Sequence, residues 1–194
     1  MNKNLSAKGG AVWFTGLPGC GKSSISRNVC SRLKDLGINA YHLQMDERRK
    51  AYFPEPDYSS RERQKAYELF ADEGARLAQQ GMLVIMDGTA PRKEMRDRAR
   101  RQIDRFAEIH VDCSLETAMS REQNRPQGLV MADLYAKALE RKKTGRRFPG
   151  LGQVIGVDVP FEKDPAAELV IDNQDLSLEE AVEQAVNYLQ QHFL

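Results

Sequence analysis

The sequence predicts a three-layer α/β/α fold built on a five-stranded, mostly parallel sheet. Short apolar segments alternate with segments in which apolar residues recur at helical spacing. This alternation is typical of parallel strands covered by helices on both faces. The length of 194 residues and the hydrophobic content of 41% suit one domain over residues 1–194, with residues 1–9 as a flexible N-terminus. The predicted strands are residues 11–15, 39–43, 82–87, 106–112 and 168–172.

Composition argues against several classes of protein. Lysine and arginine total 29 and aspartate and glutamate 28, which gives a net charge of +1. Neither nucleic acid nor a membrane is therefore an expected partner. The sequence has no apolar run long enough for a membrane span, and the segment MNKNLSAKGG lacks the apolar core of a signal peptide. Cys20, Cys30 and Cys113 lack metal-ligand spacing, so we interpret them as reduced thiols of a cytoplasmic protein.

A glycine-rich turn follows the first strand. Residues 16–23, GLPGCGKS, match the Walker A pattern G-x-x-x-x-G-K-[ST] at every fixed position. They precede a predicted helix over residues 22–36, whose N-terminal N–H groups and dipole favour an anion. Lys22 should reach the β- and γ-phosphates of ATP, and the Ser23 hydroxyl should bind Mg²⁺. The expected ATP contacts are Gly16, Leu17, Pro18, Gly19, Cys20, Gly21, Lys22, Ser23 and Ser24.

An acidic residue follows the second strand, in a position suited to chemistry. Ligands of open parallel sheets bind beyond the carboxyl ends of the strands, which is where Asp46 falls. Asp46 has two readings: it accepts the proton of a substrate hydroxyl or orients it, or it caps a short helix over residues 47–52. A long helix is predicted over residues 60–80, with one face formed by Ala66, Phe70, Gly74 and Leu77.

The third strand, MLVIMD at residues 82–87, ends in an aspartate, as Walker B strands do. Asp87 could hold Mg²⁺ through water, contact the substrate, or merely end its strand in solvent. Asp46 and Asp87 therefore compete for the role of general base, and the sequence leaves both open.

Two basic segments follow. Pro91 starts an arginine-rich helix over residues 92–105, most of whose cations should form a solvated face, while Arg92 and Lys93 lie nearest the strand end and can meet an anionic substrate. Residues 123–160 are basic and glycine-rich, as in a lid that closes over phosphates and excludes water. We expect one or two arginines of this region to reach ATP, from among Arg121, Arg125, Arg141, Arg146 and Arg147.

The last predicted element is an amphipathic helix. Ser177 can cap it, with Glu180 returning the bond three residues later. Its predicted core face is Leu178, Ala181, Val182, Ala185, Val186 and Leu189.

These features favour a small-molecule kinase among P-loop proteins. The sequence lacks the N-K-x-D segment with which GTPases read guanine, and helicases and large ATPase machines need a longer chain. A small chain with a basic lid suits transfer of a phosphoryl group from ATP, with Mg²⁺, to a small acceptor from which water is excluded.

Six segments in order make the sequence similar to the adenylyl-sulfate kinase, or APS kinase, family. They are WFTGLPGCGKSS, LQMDERR, YSSRERQKAY, APRKEMRDRAR, DLYAKA and VDVPFE, between residues 13 and 162. The resemblance implies a kinase of sulfate assimilation that moves the γ-phosphate of ATP to the 3′-hydroxyl of adenosine 5′-phosphosulfate (APS), making 3′-phosphoadenosine 5′-phosphosulfate (PAPS). It also implies a homodimer and a functional link to a separate ATP sulfurylase.

The resemblance implies roles for individual residues. Asp46 would lie beside the acceptor hydroxyl and, with Lys22, would be catalytic, while Tyr58 would stack on the acceptor adenine. Residues matching Arg49, Arg63 and Lys137 approach the sulfate–phosphate group or the bound nucleotide. Ser23 and Asp87 are the expected metal-binding residues. The expected substrate contacts are Asp46, Arg49, Tyr58, Arg63, Asp87, Arg92 and Lys137.

The sequence departs from the family pattern on the acceptor side. Gln44 and Met45 replace an Asp and a Gly, Ala66 replaces an Asn, and Arg92-Lys93 replace Tyr-Arg. An extra segment, LGQVIG at residues 151–156, precedes VDVPFE. Two alternatives therefore stay open. One is a related kinase that phosphorylates another nucleotide-linked or sugar hydroxyl, and the other is a nucleotide-binding regulator without turnover.

Overall fold

The computed structural model describes residues 9–124 and 133–194, and within these ranges five strands form one sheet. The strand order is β2-β3-β1-β4-β5, and every pairing is parallel. The predicted fold class is confirmed. Of the predicted flexible N-terminus, residues 1–8 lie outside the described residues, as does Arg125. The strands are β1 Gly10–Thr15, β2 Ala40–Gln44, β3 Leu83–Asp87, β4 Phe106–Asp112 and β5 Leu169–Asp172.

Seven helices in the described parts of the chain cover the sheet. They are α1 Lys22–Asp35, α2 Met45–Tyr52, α3 Ser60–Gln79, α4 Lys93–Gln102, α5 Leu115–Gln123, α6 Leu134–Thr144 and α7 Leu178–His192. The sequence predicted α1, α3, α4 and α7. It also predicted that a helix opens at Leu115, where α5 begins, and gave α2 only as one reading of Asp46, whereas it did not predict α6. That helix buries only Tyr135 and Ala138, so its apolar periodicity is short and basic residues dominate the segment. In this part of the chain, no helix is both long enough and apolar enough to cross a membrane.

The core consists of two apolar clusters, one on each face of the sheet. Because side chains alternate along a strand, β1 contributes to both: Val12 and Phe14 pack with α1 and α7, whereas Ala11 and Trp13 pack with α3 and α4. Trp13 is fully buried, and its ring centroid lies 5.3 Å from that of Phe70. β1 is therefore the central strand, and the turn that follows it is held from both sides.

Helix α7 confirms the predicted cap and corrects one core residue. Ser177 and Glu180 form the predicted capping box. Ala181, Ala185 and Leu189 are buried, but the assignment of Leu178 to the core is wrong because its exposed fraction is 45%. Leu178 is the first residue of the helix and lies beyond the apolar layer. Helical periodicity alone does not reveal where along the helix that layer ends.

One buried arginine connects three segments that border the carboxyl end of the sheet. Arg96 on α4 pairs with Glu108 on β4, with 3.0 Å between Nε and Oε2 and both side chains 0% exposed. Glu108 Oε1 accepts a hydrogen bond from the Thr15 hydroxyl at 2.7 Å. Arg96 also donates to the carbonyl of Ala90, at 2.6 Å, and to that of Glu162. The expectation of a mostly solvated face on this helix therefore does not hold for Arg96.

We predict that Arg96→Met destabilises the fold by about 3–5 kcal/mol, because it leaves a buried carboxylate without its partner. Burial raises the pKa of Glu108, and the charge of Arg96 opposes that rise. Without Arg96, the Glu108 carboxyl should bind a proton more readily in the folded state than in the unfolded chain. The lost stability should then be largest above the raised pKa and shrink as pH falls through it. Urea unfolding across pH measures both effects.

Arg98→Met is the matched control on the same helix. Arg98 pairs with Asp72 at 2.9 Å, but their side chains are 39% and 42% exposed. Such a pair contributes up to about 1 kcal/mol. Equal losses for the two variants, or a loss in Arg96→Met that is constant with pH, would contradict the prediction.

Candidate active site

The carboxyl ends of β1, β2 and β3 open into one cleft that brings most of the predicted site residues together. In parallel sheets of this type, the loops after the strands form the ligand site. The predicted residues that line the cleft are Pro18, Gly19, Gly21, Lys22, Ser23, Asp46, Arg49, Tyr58, Arg63 and Asp87.

The glycine-rich turn has the geometry of a phosphate-binding loop. Gly21 is the N-cap of α1, so the first N–H groups of that helix open towards the cleft beside Lys22 and Ser23. Lys22 Nζ lies 3.4 Å from the carbonyl oxygen of Leu17, across the turn. Of the remaining loop residues, Cys20 is fully buried, and Ser24 faces a separate groove on the other side of the turn.

Distant parts of the chain hold this turn in place. The Tyr135 hydroxyl, on α6, donates to the carbonyl of Pro18 at 2.7 Å. Asn173, directly after β5, donates from Nδ2 to the carbonyl of Cys20 at 2.7 Å. Each bond satisfies a carbonyl that turns away from the loop's anion-binding side, so the N–H groups stay directed inward. Sequence reasoning missed both residues.

The two candidate carboxylates lie in different environments. Asp46 is exposed on the first turn of α2, whose N-cap is Gln44, so the reading of Asp46 as the cap is wrong. Asp87 is 5% exposed, which excludes the reading of a strand end in solvent. Burial raises the pKa of Asp87, while the charge of Lys22 and a hydrogen bond from Ser23 oppose the rise.

One wall of the cleft is built around a buried ion pair. Arg49 Nη1 lies 2.6 Å from Glu62 Oε1, and both side chains are 8% exposed. The other oxygen of Glu62 accepts the backbone N–H groups of Asp57 and Tyr58. The Arg49 guanidinium lies 5.2 Å from the centroid of the Tyr58 ring. This pair therefore fixes α2, the start of α3 and the aromatic ring relative to one another.

Residues 151–156, which we call the roof segment, continue the wall that contains Tyr58. Its residues Leu151 to Ile155 line the cleft. Arg63, predicted to contact an anion, donates from Nη2 to the carbonyl of Gln153 at 2.5 Å. Arg141, predicted as a lid residue that could reach ATP, donates to the carbonyls of Leu151 and Gly152 at 2.9 and 3.1 Å.

Other predicted residues lie elsewhere. Arg92 is exposed at the N-cap of α4 and pairs with Glu94 at 3.4 Å. Lys137 is half-buried on α6, outside the set of described residues that line the cleft. Arg146 pairs with Glu140, and Arg147 is exposed.

A second groove lies against the opposite side of the glycine-rich turn. Gly19, Gly21 and Ser24 of the turn line it, together with Arg121, Asn173 and two leucines, Leu176 and Leu178. Arg121 donates to the carbonyls of Asn173 and Gln174 at 2.8 and 3.1 Å, which fixes the loop after β5. The exposed Leu178 thus belongs to this groove.

Comparison with known proteins agrees with this geometry. The model of the adenylylsulphate kinase family matches residues 8–172. The adenylyl-sulfate kinase of Oceanobacillus iheyensis is 30% identical over 191 residues, covering 97% of this chain and 86% of that protein. The adenylyl-sulfate kinase of Geotalea uraniireducens is 32% identical over 181 residues, covering 92% of this chain and 79% of that protein.

Solved structures give the same result. The Mycobacterium tuberculosis APS kinase CysC, in complex with AMPPNP and APS, has a TM-score of 0.78 and 29% identity, covering 95% of this chain and 99% of that one. A gluconokinase from Sinorhizobium meliloti, with a TM-score of 0.61 and 17% identity, shares the fold alone. Fold and site together define a P-loop kinase that phosphorylates a hydroxyl. Within that class, the chain belongs to the adenylylsulphate kinase family.

We predict that Gly19→Ala lowers ATP affinity at least about tenfold, because the phosphate-binding loop cannot keep its path. Gly19 has a φ of +85°, and a Cβ there would lie 2.3 Å from the carbonyl oxygen of Ala118. Gly37→Ala is the control: its φ is +78°, but nothing lies within 4 Å of an added Cβ. Both variants should bear similar backbone strain of about 1 kcal/mol. Calorimetric titration with ATP separates them, and equal affinities would refute the steric argument.

Proposed function

We propose that this protein transfers the γ-phosphoryl group of ATP to the 3′-hydroxyl of adenosine 5′-phosphosulfate, giving PAPS and ADP. The observation that carries the proposal is the convergence of Lys22, Ser23, Asp46 and Asp87 on one cleft in a member of the APS kinase family. Phosphoryl transfer needs little covalent chemistry from the protein beyond positioning and neutralisation of charge, and these four residues supply both.

ATP would cross the glycine-rich turn from one opening to the other. The carboxylates Asp46 and Asp87 lie in the main cleft, so the γ-phosphate belongs there, beside Lys22. The adenine would then lie in the groove on the other side of the turn, between Arg121 and Leu178. A guanidinium and an apolar side chain can cover the two faces of a planar base. The loop residues Gly16 to Ser24 would hold the phosphates between these ends.

Mg²⁺ is part of the proposal, and the residues present fit it. The Ser23 hydroxyl and the Asp87 carboxylate both line the cleft, and hydrogen bonding from Ser23 is among the influences that lower the pKa of Asp87. A hydroxyl and a carboxylate are oxygen ligands of the kind that Mg²⁺ prefers. In the described parts of the chain, no group of three or more His, Cys, Asp or Glu side chains is placed to hold a metal ion. This agrees with an ion that takes its other ligands from phosphates and water. When bound, the ion would neutralise charge on the β- and γ-phosphates.

Asp46 would be the general base or the group that orients the acceptor hydroxyl. Asp87 is buried and engaged by Ser23, whereas Asp46 is exposed on the first turn of α2 and lines the cleft. The hydroxyl oxygen would form a bond to the γ-phosphorus as the bond to the β–γ bridging oxygen breaks. Asp46 would accept the hydroxyl proton or hold its hydrogen bond, and Lys22 would stabilise charge on the transferring oxygens.

The acceptor would lie against the wall formed by the Arg49–Glu62–Tyr58 group and the roof segment. Tyr58 offers a ring against which an adenine can stack, and Arg49 carries positive charge at the same wall. Arg92 and Lys137 have a weaker claim as substrate contacts, because neither lines the cleft.

Further parts of the proposal concern the setting of the reaction. Cys20, Cys30 and Cys113 are free, which suits the reducing cytoplasm. A single domain follows from the length of the chain, and a homodimer and a functional link to a separate ATP sulfurylase follow from the family resemblance. Sedimentation analysis of the purified protein tests the dimer.

Release of ADP tests the acceptor directly. We expect ADP release with Mg²⁺ and ATP to depend on added APS, with PAPS as the product. A no-acceptor blank measures hydrolysis, which closure of the site should keep slow. Release no faster than the blank would refute APS as the acceptor. A screen of other nucleotide-linked and sugar hydroxyls would then separate a different kinase from a regulator that binds ATP without turnover.

We predict that Asp46→Asn and Lys22→Ala each lower kcat at least about 100-fold, whereas Asp87→Asn mainly raises the Mg²⁺ concentration that half-maximal activity requires. Asp35→Asn is the control, an exposed carboxylate at the end of α1. Steady-state rates at varied Mg²⁺ distinguish these effects. Near-normal turnover in Asp46→Asn, with an inactive Asp87→Asn at saturating Mg²⁺, would move the role of base to Asp87.

A further inference from the structure

We infer that the roof segment, residues 151–156, sets the affinity for the acceptor, and that Arg141 is a positioning residue that acts through it. The inference rests on the proposed function, because it concerns the acceptor side of the same cleft. It assigns a role to the extra segment by which this chain departs from the family pattern.

The roof segment is a built structure rather than a loose loop. Arg141 donates to the carbonyls of Leu151 and Gly152 and also to Asp158 Oδ2, at 2.6 Å. The same Asp158 oxygen accepts the backbone N–H of Val154 at 2.7 Å. The N–H of Gly156 donates to the carbonyl of Val159 at 2.7 Å. These bonds fix both ends of the segment.

Apolar packing holds the middle of the segment against the cleft. Val154 and Ile155 are 3% and 5% exposed, so this part is anchored in the core. Gly152 lies so close to Tyr58 that a Cβ would fall 2.3 Å from the Tyr58 Cβ and 2.7 Å from its carbonyl oxygen. Only a glycine lets the segment approach the aromatic residue to this distance. The roof segment and Tyr58 are therefore adjoining parts of one wall.

The segment acts on the acceptor and not on ATP. Its residues line the cleft that contains Asp46, Arg49 and Tyr58 together with Lys22 and Ser23, which would meet only the terminal phosphates of ATP. The groove proposed for the adenine of ATP is lined by residues of other elements. The apolar side chains of the segment extend the wall that begins at the Tyr58 ring, and a planar base gains more from burial against this longer wall than from contact with the ring alone.

The segment also changes the role of Arg63. Both terminal nitrogens of Arg63 face Gln153, Nη2 at 2.5 Å from its carbonyl and Nη1 at 3.4 Å from its Oε1. An anionic acceptor would have to compete with these bonds for the guanidinium. Arg63 therefore supports the roof segment, which leaves Arg49 as the arginine of the Tyr58 wall.

Arg141→Met tests the inference, because every contact of Arg141 described above is to the roof segment or to Asp158. We expect the KM for the acceptor to rise at least about tenfold, with kcat and the KM for ATP within about twofold, the pattern of lost ground-state binding to one substrate. Asp158→Asn keeps the shape of its side chain and should raise the same KM to a smaller extent. Arg101→Met, at an exposed arginine of α4, should leave all three constants unchanged.

Amide hydrogen exchange gives a readout that does not need activity. In the ligand-free protein, the N–H groups of Val154 and Gly156 should exchange faster in Arg141→Met than in wild type, while those of β1 keep their protection. Exchange unchanged at these two positions would overturn the inference, as would equal increases in the KM for ATP and for the acceptor.

The two proposals fail separately. If wild-type protein shows no APS-dependent ADP release, the proposed acceptor is wrong, and the KM test is made with the acceptor found in the screen. If wild type phosphorylates APS but Arg141→Met has an unchanged KM for it, the role of the roof segment is refuted and the proposed function stands.

Discussion

The arrangement of the active site depends on the buried pair of Arg96 and Glu108. Burial of two charges has a large desolvation cost, which their attraction offsets only when further hydrogen bonds satisfy both groups. Thr15, Ala90 and Glu162 supply those bonds. Each lies on a different segment of the chain. Thr15 directly precedes the phosphate-binding loop, Ala90 lies in the loop after β3, and Glu162 follows the roof segment. An apolar replacement could match the pair in stability, yet it would not hold these three segments in one register.

The phosphate-binding loop shows the same dependence on distant contacts. Its pattern is local in sequence, but its carbonyls are satisfied by Tyr135 and Asn173, more than a hundred residues away in the chain. Closing such long loops costs entropy that only the folded core repays. The anion-binding geometry is therefore complete only when β5 and α6 have docked, so ATP binding should report on folding of the whole domain.

Much of this could be predicted because it is encoded locally. The alternation of strand and helix segments, the Walker A pattern and the cap at Ser177 each depend on residues that are close together in the sequence. The structure contains all three. The assignments of Leu178 to the core and of Asp46 to a helix cap are wrong, and the contacts of long side chains could not be assigned at all. Nothing in the spacing around Arg63 or Arg96 specifies whether the guanidinium meets solvent, a ligand or a backbone carbonyl. The carbonyl that Arg63 contacts lies 90 residues away in the chain, and the Glu162 carbonyl that Arg96 contacts lies 66 residues away. The helix α6 was missed for a related reason. Its burial depends on contacts with the phosphate-binding loop and not on an apolar periodicity of its own sequence.

The departures from the family pattern can now be separated by position. Ala66 is a fully buried residue of α3, Gln44 donates a hydrogen bond to Glu47, and Arg92 lies outside the cleft. Met45 lines the cleft but is 4% exposed and packs mainly into the core. These substitutions leave the wall formed by Arg49, Glu62 and Tyr58 in place. The departure that adds new surface to the cleft is the roof segment, so acceptor selectivity that differs from that of relatives should map to residues 151–156.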